Sequence, residues 1–164
     1  MNQGCPQVPK RAYVIAKRGI GDGEAKYAID QIPIWASLED TSRVWTRARG
    51  ELYVITVPMF YDPKEENPLT ADGSVTYRQI GQDHVAVPTH FYKIAVTFPR
   101  GAAGEPDAIA FVMENRAYPK PFHLDHQIVP IKWIEERTGL IFMPKLAAPA
   151  EHIKNDKVGM WPPE

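Results

Sequence analysis

The sequence predicts an α+β fold in which helices pack on a mostly antiparallel central sheet. Two observations carry this prediction: a segment with helical apolar periodicity at residues 33–49, and three dense runs of β-branched and aromatic residues after it. A second, shorter helical pattern follows near residues 130–138. The 164 residues suit one domain that can bury a core without disulfides or a structural metal.

The first element expected along the chain is a β-hairpin within residues 8–29. RAYVIAK at residues 11–17 is rich in strand formers, RGIGDGE supplies turn chemistry, and AKYAI resumes the strand pattern. Three glycines at every second position of this turn suggest a phosphate-binding loop as an alternative. Such a loop requires a following helix with defined glycine spacing, and neither is evident, so the turn is favoured.

Residues 33–49 predict an amphipathic helix laid on the sheet. Pro33 fits the first helical turn, and Gly50 follows the last turn as a stop signal. The expected buried face consists of Ile34, Trp35, Leu38 and Trp45.

Three segments predict the main strands. ELYVITVPMFY at residues 51–61 is long and apolar enough to be buried on both faces, which predicts a central strand. Residues 62–75 are rich in Pro, Asp and Gly and predict an exposed loop, with QIGQDHVAVP leading into THFYKIAVTF at 89–98. AIAFVMEN at residues 108–115 is the third strong strand.

The last part of the domain predicts a short strand, a helix ended by Gly139, and a final short strand. These lie in HLDHQIVPIKWIEERTGL and in LIFMPKL at residues 140–146. Residues 147–164 then predict a tail packed along the surface, so the expected organisation is one domain at 1–146 followed by that tail.

Composition limits the function classes. No apolar run approaches the roughly 20 residues that span a bilayer, so membrane insertion is not expected, and the first residues do not read as a secretory signal. A single cysteine, Cys5, excludes an internal disulfide and a cysteine-rich zinc site, and is interpreted as a small buried residue rather than a nucleophile. The net charge of −1 conceals an excess of three positive charges over residues 1–50. That bias suits either a phosphate-facing surface or a solvated mixed surface.

The chain contains, in order, the segments IWASLEDTSR, ELYVITVPMF, VPTHFYKIAV, AIAFVMEN and WIEERTGLIFMPKL. Together they resemble the sugar-non-specific DNA/RNA endonuclease family of the ββα-metal class. IWASLEDTSR is similar to its metal-helix pattern, ELYVITVPMF to a strand ending in Thr-Gly-Pro and an aromatic, and VPTHFYKIAV to a strand with the pattern (V/I)-P-(T/S)-x-(F/Y)-(F/W/Y)-K. AIAFVMEN and WIEERTGLIFMPKL resemble a strand ending in Asn and the closing helix and strand. MNQGCPQ resembles an earlier segment that ends in Pro-Gln. The resemblance covers residues 31–146 and implies the C-terminal part of this fold.

The sequence departs from the family pattern at four places. The Asp-Arg-Gly-His motif, which carries the general base, has no counterpart, and residues 8–29 appear as an insertion. Gln31 stands where the family has an Asn, with Asp30 one residue earlier, and Val57 stands where Gly is usual. The resemblance therefore implies a fold whose N-terminal strands are missing or supplied elsewhere.

The resemblance also implies site residues and a cofactor. Glu39 would be the outer-shell carboxylate of a Mg²⁺ (or Mn²⁺) ion, Arg43 a phosphate partner, and Gln31 or Asp30 the metal ligand. The basic residues expected to contact DNA or RNA phosphates are Lys17, Arg18, Arg43 and Arg47. Oxygen ligands suit magnesium, so zinc is not expected.

Each site residue also has a purely structural interpretation. Glu39 and Arg43, four residues apart, can form an ordinary helix ion pair, and Gln31 and Asp30 can be polar residues at a helix start. His123, Asp125 and His126 have chelating spacing, but a strand would place them on two faces, which favours a surface loop. His84 and His90 are the remaining histidines that can replace the missing base, and His90 is interpreted as packing or facing solvent.

Two functions remain open on this basis. The first is a metal-dependent endonuclease completed by a His-bearing segment from upstream or from another chain. The alternative is a catalytically inactive subunit that acts as a nucleic-acid-binding or scaffolding module. In either case we expect cleavage by residues 1–164 alone to be absent or very weak, and an unpaired sheet edge to need covering.

Overall fold

The computed structural model describes residues 33–67, 69–98, 106–145 and 151–162. The predicted hairpin at 8–29 and the predicted site residues Lys17, Arg18, Asp30 and Gln31 lie outside the described residues. The helices are α1 (Pro33–Arg49), α2 (Ile131–Thr138) and α3 (His152–Asn155). The strands are β1 (Tyr53–Met59), β2 (Arg78–Ile80), β3 (Val85–Val87), β4 (His90–Thr97), β5 (Asp107–Glu114) and β6 (Ile128–Val129). None of the described helices combines the length and apolarity needed to cross a bilayer.

The main sheet has four strands in the order β1-β4-β5-β6, and every neighbouring pair is antiparallel. Tyr53 of β1 pairs with Val96 of β4, and His90 at the other end of β4 pairs with Glu114 of β5. The predicted α+β fold with an antiparallel sheet is thereby confirmed. The prediction that residues 51–61 form a central strand is wrong for the described part of the chain, where β1 is an edge strand.

Helix α1 covers one face of this sheet, as the apolar periodicity predicts. Trp35, Leu38 and Trp45 are all at most 2% exposed, and Trp45 stacks on Phe111 of β5 with ring centroids 6.1 Å apart. Ser42 interrupts the apolar stripe, but its hydroxyl donates to the Leu38 carbonyl, which satisfies the buried polar group. The predicted helix at 33–49 is confirmed.

Helices α2 and α3 cover part of the opposite face. Because side chains alternate along a strand, the even-numbered residues of β4 face this second core while Phe91 and Ala95 face α1. Helix α2 ends where predicted, because Gly139 adopts a left-handed φ of 70° and its N–H donates to the Glu135 carbonyl. The short strand and helix predicted from 123–140 are confirmed as β6 and α2.

Two segments differ from the sequence prediction. Residues 78–87 form a β2–β3 hairpin closed by a turn in which Gly81 and His84 both have positive φ, whereas the sequence predicted only a connection here. Residues 140–145 form no strand, because the Phe142 N–H donates to the Glu135 side chain instead of a sheet ladder and Met143 has a φ of 49°. The predicted last strand is therefore wrong over its described residues.

The C-terminal segment does not simply lie along the surface. Trp161 is 5% exposed, and its carbonyl accepts a hydrogen bond from the Trp45 indole at 3.2 Å. Arg49 lies over the Trp161 ring, 4.1 Å from its centroid, so the end of α1 and this segment clamp each other. Within the predicted tail, the large aromatic side chain of Trp161 is therefore anchored in the core, where it is shielded from water.

Candidate active site

Glu39 is the residue around which the candidate site is built. It lies in the second turn of α1, and its side chain is 45% exposed, at the border between the buried stripe and solvent. Its Oε1 atom accepts a hydrogen bond of 3.1 Å from the indole N–H of Trp35, one helical turn earlier. The helix thus holds one carboxylate oxygen while the group stays accessible.

Lys93 of β4 lies beneath this carboxylate. Its odd position on β4 directs its side chain to the face that α1 covers, and the side chain is only 5% exposed. Its Nζ atom is 3.9 Å from Oε1 of Glu39 and 4.7 Å from the centroid of the Trp35 ring. Burial lowers the pKa of Lys93, Glu39 counteracts this shift, and the positive charge of Arg43 adds to it.

Arg43 projects from α1 one turn after Glu39 and is well exposed. Its guanidinium forms an ion pair with Asp40, and the two side chains are 65% and 73% exposed. Among the described residues, no ion pair joins Arg43 to Glu39, so the interpretation of these two as a helix pair is wrong. An ion pair at this exposure contributes little to stability, so the Arg43 guanidinium separates from Asp40 at little cost.

Arg47 lies in the last turn of α1 and is also exposed, which is the position its predicted phosphate-binding role requires. Arg49 is different: it contacts Asp107 at 3.1 Å and Trp161, so it serves packing at the end of the helix.

The two candidate substitute bases do not join this site. His84 is exposed in the β2–β3 turn. His90 faces the second core: its ring contacts that of Tyr61 at 5.2 Å, and Tyr61 in turn contacts Trp133 of α2 at 5.1 Å. Burial lowers the pKa of His90, with Glu114 and Asp62 opposing the shift. The packing interpretation of His90 is confirmed.

His123, Asp125 and His126 lie at the surface, as predicted; Asp125 and His126 are on a short 3-10 helix at Leu124–Gln127, and His123 immediately precedes it. The two imidazole rings are 5.0 Å apart. Over the described part of the chain, no group of three or more His, Cys, Asp or Glu side chains is arranged to hold a metal.

The described residues fit a hydrated Mg²⁺ in one respect. Within the described ranges, no hydrogen bond or ion pair engages Oε2 of Glu39, while Oε1 is held by Trp35 and lies near Lys93. A single accessible carboxylate oxygen suits contact with metal-bound water, because Mg²⁺ retains several waters in protein sites. It does not form a complete set of direct ligands.

Glu39 and Arg43 were expected at this site from the sequence, whereas Lys93 and Trp35 were not expected to be members of this cluster. The signal was present: Lys93 is the last residue of the VPTHFYK pattern, and strand alternation from the apolar Phe91 places it on the helix-covered face.

The profile of the family described as DNA/RNA non-specific endonuclease matches residues 17–148. Endonuclease G, mitochondrial, of Bos taurus is 40% identical over 122 residues, which are 73% of this chain and 38% of the relative. Nuclease 1, mitochondrial, of Schizosaccharomyces pombe is 34% identical over 108 residues, 65% of this chain and 33% of the relative. The chain thus spans well under half the length of these relatives.

Similarity extends to a solved structure titled "Crystal structure of the EndoG/EndoGI complex: Mechanism of EndoG inhibition". The TM-score is 0.58 with 32% sequence identity, over 69% of this chain and 44% of the other. The α1 helix, the strand pattern and the profile match agree with one another. The chain belongs to the DNA/RNA non-specific endonuclease family.

Proposed function

We propose that this chain supplies the metal-helix half of an endonuclease that hydrolyses phosphodiester bonds in DNA and RNA with Mg²⁺ or Mn²⁺. The observation that carries the proposal is the Glu39 carboxylate, held at one oxygen by Trp35 and accessible at the other, one helical turn before an exposed arginine. Family membership and the names of the relatives support the same reaction.

The site residues have distinct tasks in this proposal. Glu39 orients water of the metal shell, and Arg43 neutralises phosphate charge after leaving Asp40. Gln31 or Asp30 is the metal ligand, and Lys17, Arg18 and Arg47 are further phosphate contacts. A bound Mg²⁺ would stabilise the negative charge that develops on the phosphate oxygens.

The general base must come from elsewhere. Neither candidate substitute base is part of the Glu39 cluster: His84 is in the β2–β3 turn, and His90 is on the opposite face of the sheet. We therefore propose that a His-bearing segment, outside residues 1–164 or on another chain, completes the site. Without it, the loss of general base catalysis costs about 10²- to 10⁴-fold in rate.

The outer edge of β1 is the proposed docking position for that completing segment. Within the described residues β1 pairs only with β4, and Tyr53 and Val54 are 55% and 45% exposed. An edge strand with exposed apolar side chains offers unpaired N–H and C=O groups to another strand. Addition of a strand there would extend the sheet that carries Lys93.

The cleavage test compares the 164-residue chain with the same chain completed by the part of a relative that precedes its matched region. Plasmid DNA and RNA are incubated with Mg²⁺ or EDTA. We expect EDTA-sensitive cleavage by the completed form and little or none by the chain alone. Glu39→Ala should abolish cleavage, whereas Glu136→Ala, a matched change on exposed α2 surface, should not.

Two outcomes would contradict the proposal. Robust cleavage by the short chain that is lost in Glu39→Ala would mean that a base lies within residues 1–164, with His84, His90 and His123 the next residues to change. A completed form that binds DNA but does not cleave it would favour the inactive binding or scaffolding module instead.

The choice of metal is tested on the chain alone. Because Trp35 donates to Glu39, the ¹⁵N–¹H signal of its indole should shift as Mg²⁺ is added, or broaden as paramagnetic Mn²⁺ is added, and should do neither in Glu39→Ala. Tight zinc binding with no response to millimolar Mg²⁺ would contradict the proposed cofactor.

A further inference from the structure

We infer that Lys93 and Trp35 are positioning residues that fix Oε1 of the Glu39 carboxylate and thereby direct Oε2 outward, toward the water shell of the proposed metal. This inference rests on the proposed function, because that function requires Glu39 to orient metal-bound water and the inference says which residues orient Glu39. Neither residue is assigned contact with substrate. They act through Glu39.

The location of Lys93 is the first argument. An ammonium group is costly to bury unless a negative partner compensates for it. Among the described residues, the one carboxylate within ion-pair distance of Lys93 is Glu39, with 3.9 Å between Nζ and Oε1. The remaining attraction comes from the face of Trp35, whose centroid is 4.7 Å from Nζ.

The double use of the Trp35 ring is the second argument. Its π face attracts the Lys93 ammonium, while its N–H edge donates to the same oxygen that Lys93 approaches. Lys93 therefore restrains Oε1 both by direct attraction and by holding the indole that donates to it. Trp35 is itself fixed, being 2% exposed and packed edge-on against Phe91 at 6.0 Å.

The two oxygens of the Glu39 carboxylate have different surroundings. Glutamate has long, flexible side-chain torsions, and at 45% exposure such a group normally samples several orientations. Here the hydrogen bond and the ion pair that described residues make with this carboxylate both converge on Oε1. A carboxylate anchored by one oxygen offers the second in a constant direction, which is what an outer-shell group needs to orient metal-bound water.

A purely structural role for Lys93 makes a different prediction. If its methylene stem only fills the space under α1, then methionine, which is similar in length and neutral, would replace it without changing the contact between Trp35 and Glu39. If Lys93 positions the carboxylate, loss of its charge weakens that contact.

The decisive experiment measures hydrogen exchange of the Trp35 indole N–H in the metal-free 164-residue chain. Trp35→Phe assigns its signal among the four tryptophans. We expect Lys93→Met to accelerate exchange roughly 3- to 10-fold, as loss of a partner in one hydrogen-bond cluster does, and Lys93→Arg to restore most of the protection. Lys132→Met is the matched control, because Lys132 belongs to α2 on the other face and pairs with Glu135.

A second variant covers the case in which Lys93→Met does not fold. Glu39→Gln retains an acceptor for Trp35 but loses its attraction to Lys93, and it lies on a half-exposed position. It should accelerate indole exchange by a similar factor. Unchanged exchange in whichever of these two variants folds, with the thermal midpoint maintained, would overturn the inference.

The failures of the two proposals are distinguishable. In Lys93→Met, the Mg²⁺ concentration for the half-maximal shift of the Trp35 indole signal should rise about 10-fold or more, as for loss of an outer-shell partner. Faster indole exchange together with no magnesium response in any variant would support the positioning role and contradict the metal site. A magnesium response that Lys93→Met leaves unaltered would contradict the positioning role alone.

Discussion

The phenol of Tyr92 is buried in the second core, and among the described residues its hydroxyl has no hydrogen-bond partner. Burial also raises the pKa of Tyr92 to about 12. An unpaired buried hydroxyl costs about 1–3 kcal/mol, so Tyr92→Phe should leave the free energy of unfolding unchanged or raise it by up to about 1 kcal/mol. Urea denaturation measures this difference.

Tyr118→Phe is the matched control for that change. The Tyr118 hydroxyl accepts from the Glu114 N–H at 2.9 Å, so removal of this oxygen deletes a real hydrogen bond. We expect a loss of about 1 kcal/mol. If Tyr92→Phe destabilised the protein as much as Tyr118→Phe, the Tyr92 hydroxyl would have a partner outside the described ranges.

The half-buried imidazole of His90 makes stability depend on pH. Burial lowers its pKa in the folded protein below the ordinary 6.5, against the opposing charges of Glu114 and Asp62, so the unfolded chain binds this proton more readily. The stabilisation that comes from keeping this imidazole neutral is complete above pH 6.5. It declines as the pH falls through 6.5 toward the lower pKa of the folded state.

We therefore expect the free energy of unfolding to fall between neutral pH and pH 5, and to fall less in His90→Gln. Urea denaturation at the two pH values measures both losses. His126→Gln, at an exposed histidine, is the control and should retain the wild-type loss. Equal losses in all three proteins would exclude His90 as the cause.

At the level of single residues, the sequence indicated only some of the side chains that the structure brings together around Glu39. Glu39 and Arg43 were placed on one side of a helix by spacing, which is a local property. The partner of Arg43 was not predictable, because Asp40 and Glu39 are both within helical reach and the choice depends on side-chain geometry. The approach of Lys93 depends on how α1 crosses β4, which spacing along the chain does not specify.

The end of α2 provides a prediction at the level of elements. Gly139 has a φ of 70°, a conformation that costs an L-residue free energy, so Gly139→Ala should lower the free energy of unfolding by about 1 kcal/mol. Gly159→Ala is the control, because Gly159 has no positive φ and an added Cβ meets no atom within 4 Å. Thermal or urea unfolding compares the two. Equal effects would mean that the cap contributes little.

Elements with strong local signals were predicted well, and those defined by distant partners were not. Helix α1 carries its own apolar period, Pro33 and Gly50, and its bounds match the expectation. Residues 140–145 have strand-like composition, but the buried Glu135 side chain takes the Phe142 N–H, an interaction that a local pattern does not reveal. Likewise, β1 is apolar enough for a central strand, yet its neighbours decide its place in the sheet.

For the whole molecule, the β1 edge predicts association. If this edge accepts a strand, Val54→Lys should reduce any self-association of the 164-residue chain, because a lysine on an edge strand opposes further pairing. Light scattering over a dilution series measures the oligomeric state. Ile80→Lys, at a comparably exposed position on the β2–β3 hairpin, is the control and should not alter it. If the chain is monomeric at every concentration, the β1 edge does not mediate self-association, and the prediction is wrong.

For the molecule as a whole, the sequence predicted the fold class because proteins of one family share the same arrangement of helices and strands. The sequence did not predict that the sheet has a hydrophobic core on each face. Helix α1 covers one face, and α2 and α3, from the other end of the chain, cover the opposite face. That arrangement follows from packing between residues far apart in sequence, such as Trp45 and Trp161.

The hydrogen bond between Trp45 and the carbonyl of Trp161 joins residues 116 positions apart. During translation, α1 is therefore synthesised long before Trp161, which packs against the C-terminal half of this helix, leaves the ribosome. A contact of such long range contributes to the native state without guiding the early steps of folding. The nascent chain should accordingly be most vulnerable to proteases and chaperone capture until residue 161 has emerged, and should lose that vulnerability abruptly when it does.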